Sequence, residues 1–406
     1  MRGSLESPPG RLNSNIFHTK THIESGTWGT RLDTVLLDRP THLSSMTSHL
    51  RVGGLRQRFQ GPERRDSPVL RRLSPVPLLA LALALAPACL TPDPAPIVRG
   101  PLASRPQHPL GLTFLALRPR RAQTQPAGST GIGLVATHSS IFEANAGLGD
   151  RVVFDGEVSR VAARVRHGLT ESLDVEVELG LAYATSGFLD SVLDDFHGAL
   201  FLPDGGRDEA PQDRFDMSIR RLGVVAYELE EDRIGFTDVP LIVTGELLDE
   251  DEGGWVPGVA ARAAVELPVG SSTRGFGSGG LDWGMGVLAE KSTGRFTWTA
   301  AVDWILPDED DAFGDVGIDI RNFLQLQGGA EMRWSNRCSL LAQIFITTPL
   351  TRDIDLEEIN REIVDLGIGV AYDVAEASRL FVSFHEDIVA ATGPDFGIRV
   401  GWTLGF

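Results

Sequence analysis

From residue 130 to the C-terminus, apolar and polar residues alternate with a period of two. In the last segment Phe396, Ile398, Val400, Trp402, Leu404 and Phe406 fall on one face, and Gly397, Arg399, Gly401, Thr403 and Gly405 on the other. Successive side chains of a strand point to opposite sides, so one face of this strand is apolar and the other small or polar. The same pattern recurs. Leu173, Val175, Val177, Leu179 and Leu181 alternate with Asp174, Glu176, Glu178 and Gly180, and Phe296, Trp298, Ala300, Val302 and Trp304 alternate with Thr297, Thr299 and Asp303. Each stretch runs about 10 residues, the length a tilted strand needs to cross a bilayer. Strands of a soluble sandwich are shorter, about 5–6 residues. A sheet exposed to lipid must close on itself, because an open edge leaves backbone groups unpaired in hydrocarbon. The pattern predicts an all-β fold, a closed antiparallel transmembrane β-barrel.

Twelve strands are expected, at 131–143, 152–167, 172–184, 236–248, 258–268, 281–291, 296–306, 322–333, 339–348, 364–373, 379–387 and 395–406. Residues 219–230 could form another, but an odd number would put the ends on opposite sides, so they are assigned to a loop hairpin or extension. With Phe406 at the periplasmic end, the connections at 168–171, 249–257, 292–295, 334–338 and 374–378 are short periplasmic turns. Those at 144–151, 185–235, 269–280, 307–321, 349–363 and 388–394 are extracellular loops, mostly longer, an asymmetry typical of such barrels. In the longest loop, Leu189, Val192, Leu193 and Phe196 recur at helical spacing before His197. A short helix there can pack on the rim, or fold inward and make Phe196, His197 and Arg207 gate residues.

Upstream of residue 130 this period is missing. Residues 1–68 are rich in Arg, Ser, Pro and Gly and read as disordered, or as a mis-assigned start with Met46 or Val69 as the first codon. Residues 69–89 have the layout of a signal peptide: Arg71 and Arg72, an apolar run over 78–85, and Ala86-Pro87-Ala88 before Cys89. Cys89 is a candidate for lipidation, against plain cleavage. Residues 90–130 are expected to be a periplasmic linker leading into the barrel. Beyond position 89 the chain carries 25 basic and 49 acidic residues, which excludes a nucleic-acid partner that needs a basic surface. Two cysteines, Cys89 and Cys338, exclude a disulfide-rich scaffold.

The polar faces of the strands supply candidates for a lumen: Arg164, Arg166, Glu176, Glu178, Arg262, Glu266, Asp303, Glu331, Arg333 and Arg399, together with Arg160, Asp174, Asp282, Glu290 and Asp365. They can form an internal salt-bridge lattice or a charged pore; because acid predominates, such a pore favours cations or neutral solutes. Gly275, Gly277 and Gly280 match a dinucleotide fingerprint by letter, but a strand rather than a helix follows. His138-Ser139-Ser140 and His385-Glu386-Asp387 are the histidine clusters with useful neighbours. Adjacent strand residues point opposite ways, which disfavours a shared metal. A surface hydrolase would need a histidine and a serine within hydrogen-bond reach at the outer rim. No cofactor pattern emerges.

The amphipathic last strand ending in Trp402 and Phe406 resembles the assembly signal of outer-membrane proteins, which implies the barrel-assembly machinery and periplasmic chaperones as partners. Four stretches resemble the uncharacterised outer-membrane family called domain of unknown function 3187. They are Gly100-Pro101-Leu102 through Gln107-His108-Pro109-Leu110, Phe196-His197-Gly198 through Gly205-Gly206-Arg207, Gly235-Phe236-Thr237-Asp238, and Leu267-Pro268-Val269-Gly270 through Gly275-Phe276-Gly277-Ser278-Gly279-Gly280-Leu281-Asp282. Pro106 departs from the Asn expected before Gln107. The last stretch is more loosely similar to channel-like outer-membrane proteins of aromatic-degradation pathways. The resemblance implies export and a barrel in the bacterial outer membrane, without an assigned activity. The expected function is a narrow, porin-like solute channel, monomeric, surrounded by outer-membrane lipid and not an enzyme. The alternatives are a non-conducting structural or adhesive barrel and a surface-exposed lipid hydrolase.

Overall fold

The computed structural model describes residues 98–406 apart from 147–148, 194–206, 208–209, 252–253, 272–274, 309–310, 352–359, 388–392 and 406. Cys89, Phe196, His197 and Phe406, like the segments 1–68 and 69–89, lie outside the described residues. The first strands are β1 (Thr130–Ala146), β2 (Asp150–Thr170) and β3 (Leu173–Thr185). Three shorter ones follow, β4 (Asp216–Arg221), β5 (Val224–Leu229) and β6 (Arg233–Phe236). The rest are β7 (Val239–Leu248), β8 (Gly258–Leu267), β9 (Asp282–Thr293), β10 (Phe296–Leu306), β11 (Phe323–Arg333), β12 (Cys338–Thr347), β13 (Ile363–Ala375), β14 (Ser378–Asp387) and β15 (Phe396–Leu404). Two five-residue helices, α1 (Pro109–Thr113) and α2 (Asp311–Asp315), complete the named elements.

Each long strand pairs antiparallel with the next, β3 pairs with β7, and β15 returns to β1 with Leu134 opposite Trp402 and His138 opposite Ile398. Twelve strands therefore close into a barrel. The outward residues are apolar and open to the surroundings: Val161 and Val287 are 55% and 51% exposed, and Leu134, Leu179, Met285, Val302 and Ile368 are also exposed. Exposed aromatic residues mark both ends of this belt, Trp283 and Trp304 at one and Phe296, Trp298 and Trp402 at the other. A closed barrel with such a belt is a transmembrane barrel of the outer-membrane type. The connections β2–β3, β7–β8, β9–β10, β11–β12 and β13–β14 share one end, here the turn end; the others share the loop end.

Residues 219–230 are a hairpin, as expected, but outside the barrel. β1 and β2 continue past the last residue of β1 paired with β15, Ser140, and β4 pairs with this projecting part of β2, Asp155 opposite Asp216. β5 pairs with β4. The strand expected from residue 236 divides in two. β6 pairs with the loop end of β3, Leu181 opposite Phe236, and β7 begins only at Val239. Between them the Thr237 amide still donates to the Gly180 carbonyl of β3 (3.0 Å), while the Asp238 carboxylate turns to the 270–280 loop and accepts from the Gly270 (2.6 Å) and Ser278 (2.9 Å) amides. A Cβ on Gly277 would fall within 2.4 Å of that carboxylate. The glycines in the 270–280 motif thus let a loop wrap an aspartate, and the chain then enters β9, not a nucleotide-binding helix.

The main apolar core lies at the loop end. Ile141, Phe154, Val158, Met217, Tyr227, Phe276 and Phe313 from strands and loops surround Leu110, Leu112, Phe114, Leu115 and Leu117 from the segment before β1. A charge on the belt tests the lipid-facing assignment. Val287→Arg, in the middle of β9, is expected to lower stability by about 2–4 kcal/mol, and Leu324→Arg, near the loop end, by about 0–1 kcal/mol. Urea unfolding in lipid vesicles measures both; equal small effects would place Val287 outside the hydrocarbon.

Candidate functional site

Residues 98–125, most of the described part of the segment 90–130 expected to be a periplasmic linker, lie inside the barrel. The segment starts at the turn end, where the Arg99 and Gly100 amides donate to Glu331 (2.7–2.9 Å) and Arg99 Nε to Asp373 (2.7 Å). Leu102 packs among Val135, Leu341, Ala371 and Phe381. The chain rises to α1 at the loop end, where His108 Nε2 sits 3.2 Å from Glu143 and the ring meets Phe154 edge-on. It then turns back. Arg105 holds the bend by donating to the carbonyls of Gly111, Leu112 and Phe114. On the way down, the Leu115 amide donates to Asp282 and the Leu117 amide to Gln325, both at 2.9 Å. Gln325 and Gln327 donate in turn to the Leu115 and Leu117 carbonyls (3.2 and 2.6 Å). A non-helical backbone can sit at membrane depth only if something satisfies it, and here wall side chains do so. Gln125 closes the path at the turn end by donating to the Gly405 carbonyl (2.9 Å).

Between residues 98 and 125 there are five arginines and no acidic residue. All five meet wall carboxylates. Besides Arg99 with Asp373, Arg105 lies 3.5 Å from Glu266, and Arg118 lies 2.6 Å from Glu176 and also pairs with Glu178. Arg120 reaches Asp174 (2.9 Å) and Thr244 (2.7 Å), and Arg121 grips Glu290 through two nitrogens (2.7–3.0 Å). The wall also pairs with itself, through Arg160 with Glu178 (2.6 Å), Arg166 with Asp174 (2.5 Å) and Arg379 with Asp373 (2.6 Å). Arg262 reaches across Gly286 to grip Asp303 (2.6 and 2.7 Å); a Cβ on Gly286 would fall within 1.9 Å of that carboxylate.

Arg164, Arg166, Glu176, Glu178, Arg262, Glu266, Asp303, Glu331, Arg333 and Arg399 all project to the inner side; Arg164 and Arg166 are half-buried and the others buried. Arg333 donates to the Gly294 carbonyl at the turn end. Arg399 donates to Asp365 (3.3 Å) and to the Arg105 carbonyl (2.7 Å), so it joins the wall to the inserted segment. The segment itself, Gln325 and Gln327 are functional groups that strand alternation did not single out.

Arg207, a gate candidate, lies elsewhere. It pairs with Asp190 and Asp395 and sits 5.3 Å over the Phe142 ring. Phe142 faces away from the inserted segment, since its neighbour Glu143 contacts His108. Residues 186–193, helical from 190, therefore pack on the outer side of the projecting β1–β2 ribbon, and Arg207 fastens this covering to the start of β15. Burial pushes the Asp395 carboxyl up to about 6 against the attraction of Arg207, and raises that of Asp190. Of the two histidine clusters, His385 faces the interior between Ser383 and Asp365 (2.8 and 2.7 Å) while Glu386 lies on the other face. His138 meets neither Ser139 nor Ser140 but Ser159, across the strand pair.

The family described as "Protein of unknown function (DUF3187)" matches residues 89–406. No curated protein matches in sequence. Among solved structures, the chain is similar to an outer-membrane channel from Pseudomonas putida F1, with 15% identity and a TM-score of 0.48 over 72% of this chain and 100% of that one. It is also similar to the NanC porin (9%, 0.40, 68% and 100%) and to the P. putida toluene transporter TodX (11%, 0.32, 69% and 91%). The stretches with the motifs at 100–110, 235–238 and 267–282 build the inserted segment and the loop that closes over its tip. The family match covers the inserted segment and the whole barrel, and the chain belongs to the DUF3187 family.

Proposed function

We propose that the protein is a narrow solute channel of the bacterial outer membrane, held shut by its own residues 98–125. The observation that carries this reading is the way the lumen is filled. A permanently closed barrel can fill its interior with apolar side chains, as small barrels do. Here the closing element is a separate cationic segment, seated on an acidic wall through ion pairs and in an apolar core at its tip. Buried ion pairs contribute little net stability, because desolvation offsets their attraction. Such a segment can leave without the barrel losing its sheet. Once it leaves, the wall presents Asp174, Glu176, Glu178, Glu266, Glu290 and Glu331, so the open state favours cations and neutral solutes over anions. A non-conducting barrel is the second reading, favoured by the same filled lumen if the segment never leaves.

Two measurements follow. In planar bilayers, the full chain is expected to show rare, brief openings, and the variant Arg118→Ala/Arg120→Ala/Arg121→Ala frequent, longer ones, because removing one partner of a buried pair costs about 3–5 kcal/mol. Silence of both proteins would favour the non-conducting barrel. In a potassium chloride gradient, the reversal potential of the variant is expected to show cation preference; anion preference would contradict the acidic-wall assignment.

A further inference from the structure

On the outer surface, near the loop end, three side chains stand in the order that acyl transfer requires. Ser159 on β2 and His138 on β1 are directly opposite in the strand pair, and the Ser159 hydroxyl lies 2.8 Å from His138 Nδ1. The other ring nitrogen, Nε2, lies within ion-pair distance of Glu157 Oε2 (3.0 Å), although neither atom makes a hydrogen bond. Glu157 is held in place by its other oxygen, which accepts the Phe188 and Leu189 amides (2.8 and 2.6 Å). Phe188 stacks on the imidazole, with ring centroids 5.6 Å apart and an interplanar angle of 13°. The base thus sits between a buried carboxylate and a stacked aromatic ring, while Ser159 and His138 remain half-exposed. Ser140, opposite Glu157, has a buried hydroxyl without a hydrogen-bond partner, an unused donor near this face.

The position fixes the substrate class. One pleat toward the turn end, Val161 is 55% exposed on the apolar belt. Beside Ser159, Tyr183 is the cross-strand neighbour, and its hydroxyl donates to Asp232 of a polar loop (2.6 Å). Tyrosines with an apolar body and a wet tip mark the membrane interface. Ser159 therefore stands where hydrocarbon gives way to headgroups, the depth of a lipid's ester bonds. The interior chain of Ser383, His385 and Asp365 has similar spacings, but it is buried beneath the inserted segment with Arg399 against its ring, where no lipid arrives.

We propose that Ser159 and His138, with Glu157 as the positioning residue, hydrolyse acyl esters of outer-leaflet lipids. Ser159 Oγ attacks the ester carbonyl carbon while its proton passes to His138 Nδ1. The tetrahedral oxyanion collapses, the carbon–oxygen bond to the alcohol breaks, and the alcohol leaves with the proton held by His138. Water, deprotonated by His138, then attacks the acyl-serine, releasing the fatty acid and restoring the Ser159 hydroxyl. This activity does not depend on conduction.

The test uses the full chain, folded in detergent micelles and then in phospholipid vesicles. A fluorophosphonate probe is expected to label Ser159, identified by peptide mass spectrometry, and Ser159→Ala is expected to abolish both labelling and fatty-acid release. His138→Asn is expected to slow labelling by about 100-fold or more, as loss of a general base does. Glu157→Gln is expected to change the pH profile of labelling, which a purely structural contact would not do. Ser383→Ala is the control and should label normally. Bilayer conductance of Ser159→Ala should match the parent, which separates this site from the channel. An unlabelled Ser159 in the folded parent, or equal labelling of His138→Asn, overturns the proposal.

Discussion

Every arginine of residues 98–125 is matched to a carboxylate on the barrel wall, and the rest of the structure depends on that compensation. An isolated charge in a space screened from water is costly, so acidic residues facing the lumen need either water or a cation. The wall's own arginines supply part of this, as in the Arg262–Asp303 pair, but Glu176, Glu290 and Glu331 are satisfied mainly from the inserted segment. The segment needs the wall as well. Its irregular backbone has no sheet partner at Leu115 and Leu117, and Asp282, Gln325 and Gln327 take the place of one. Without the segment, water must enter the lumen to satisfy the wall's polar groups.

The two ends of the lumen are held differently. Toward the turn end the contacts are charged, through Arg99, Arg118, Arg120 and Arg121. Toward the loop end an apolar core dominates, where Leu110, Leu112 and Phe114 join Phe154, Tyr227, Phe276 and Phe313 beside the Arg105–Glu266 and His108–Glu143 contacts. A charged lower half responds to competing ions and water, whereas an apolar upper half holds until the loops above it shift. The Asp238 and Asp282 carboxylates connect the two, since one shapes the covering loop and the other holds both that loop and the Leu115 amide. The outer covering on β1 and β2 is a separate feature. It fastens Glu157 against His138 rather than closing the lumen.

Period-two alternation was enough to read the barrel, because lipid outside and a polar interior impose opposite chemistry on successive residues. It placed the ten lumen candidates on the inner side and the 219–230 hairpin outside the strand count. It did not reveal the inserted segment, since residues 98–125 follow no period and their partners lie up to 294 positions away along the chain. The readable signal was compositional: five arginines without an acid, and an apolar run at Leu110–Leu117, ahead of an acid-rich barrel. Helical spacing in the 185–235 loop left rim packing and an inward gate both open for Arg207, because it says nothing about which side of the ribbon the loop covers. Ser159 was missed because its partner is set by strand register, whereas Ser139 and Ser140 merely follow His138 in sequence.

Residues 98–125 sit in the lumen with Leu117 against Gln325. The most direct measurement is oxidative cross-linking of Leu117→Cys with Gln325→Cys in the folded protein within a membrane. Rapid disulfide formation, with loss of maleimide labelling at position 117 until a reductant is added, is the expected result. Full-rate labelling of position 117 with no cross-link would show that the segment lies outside the barrel.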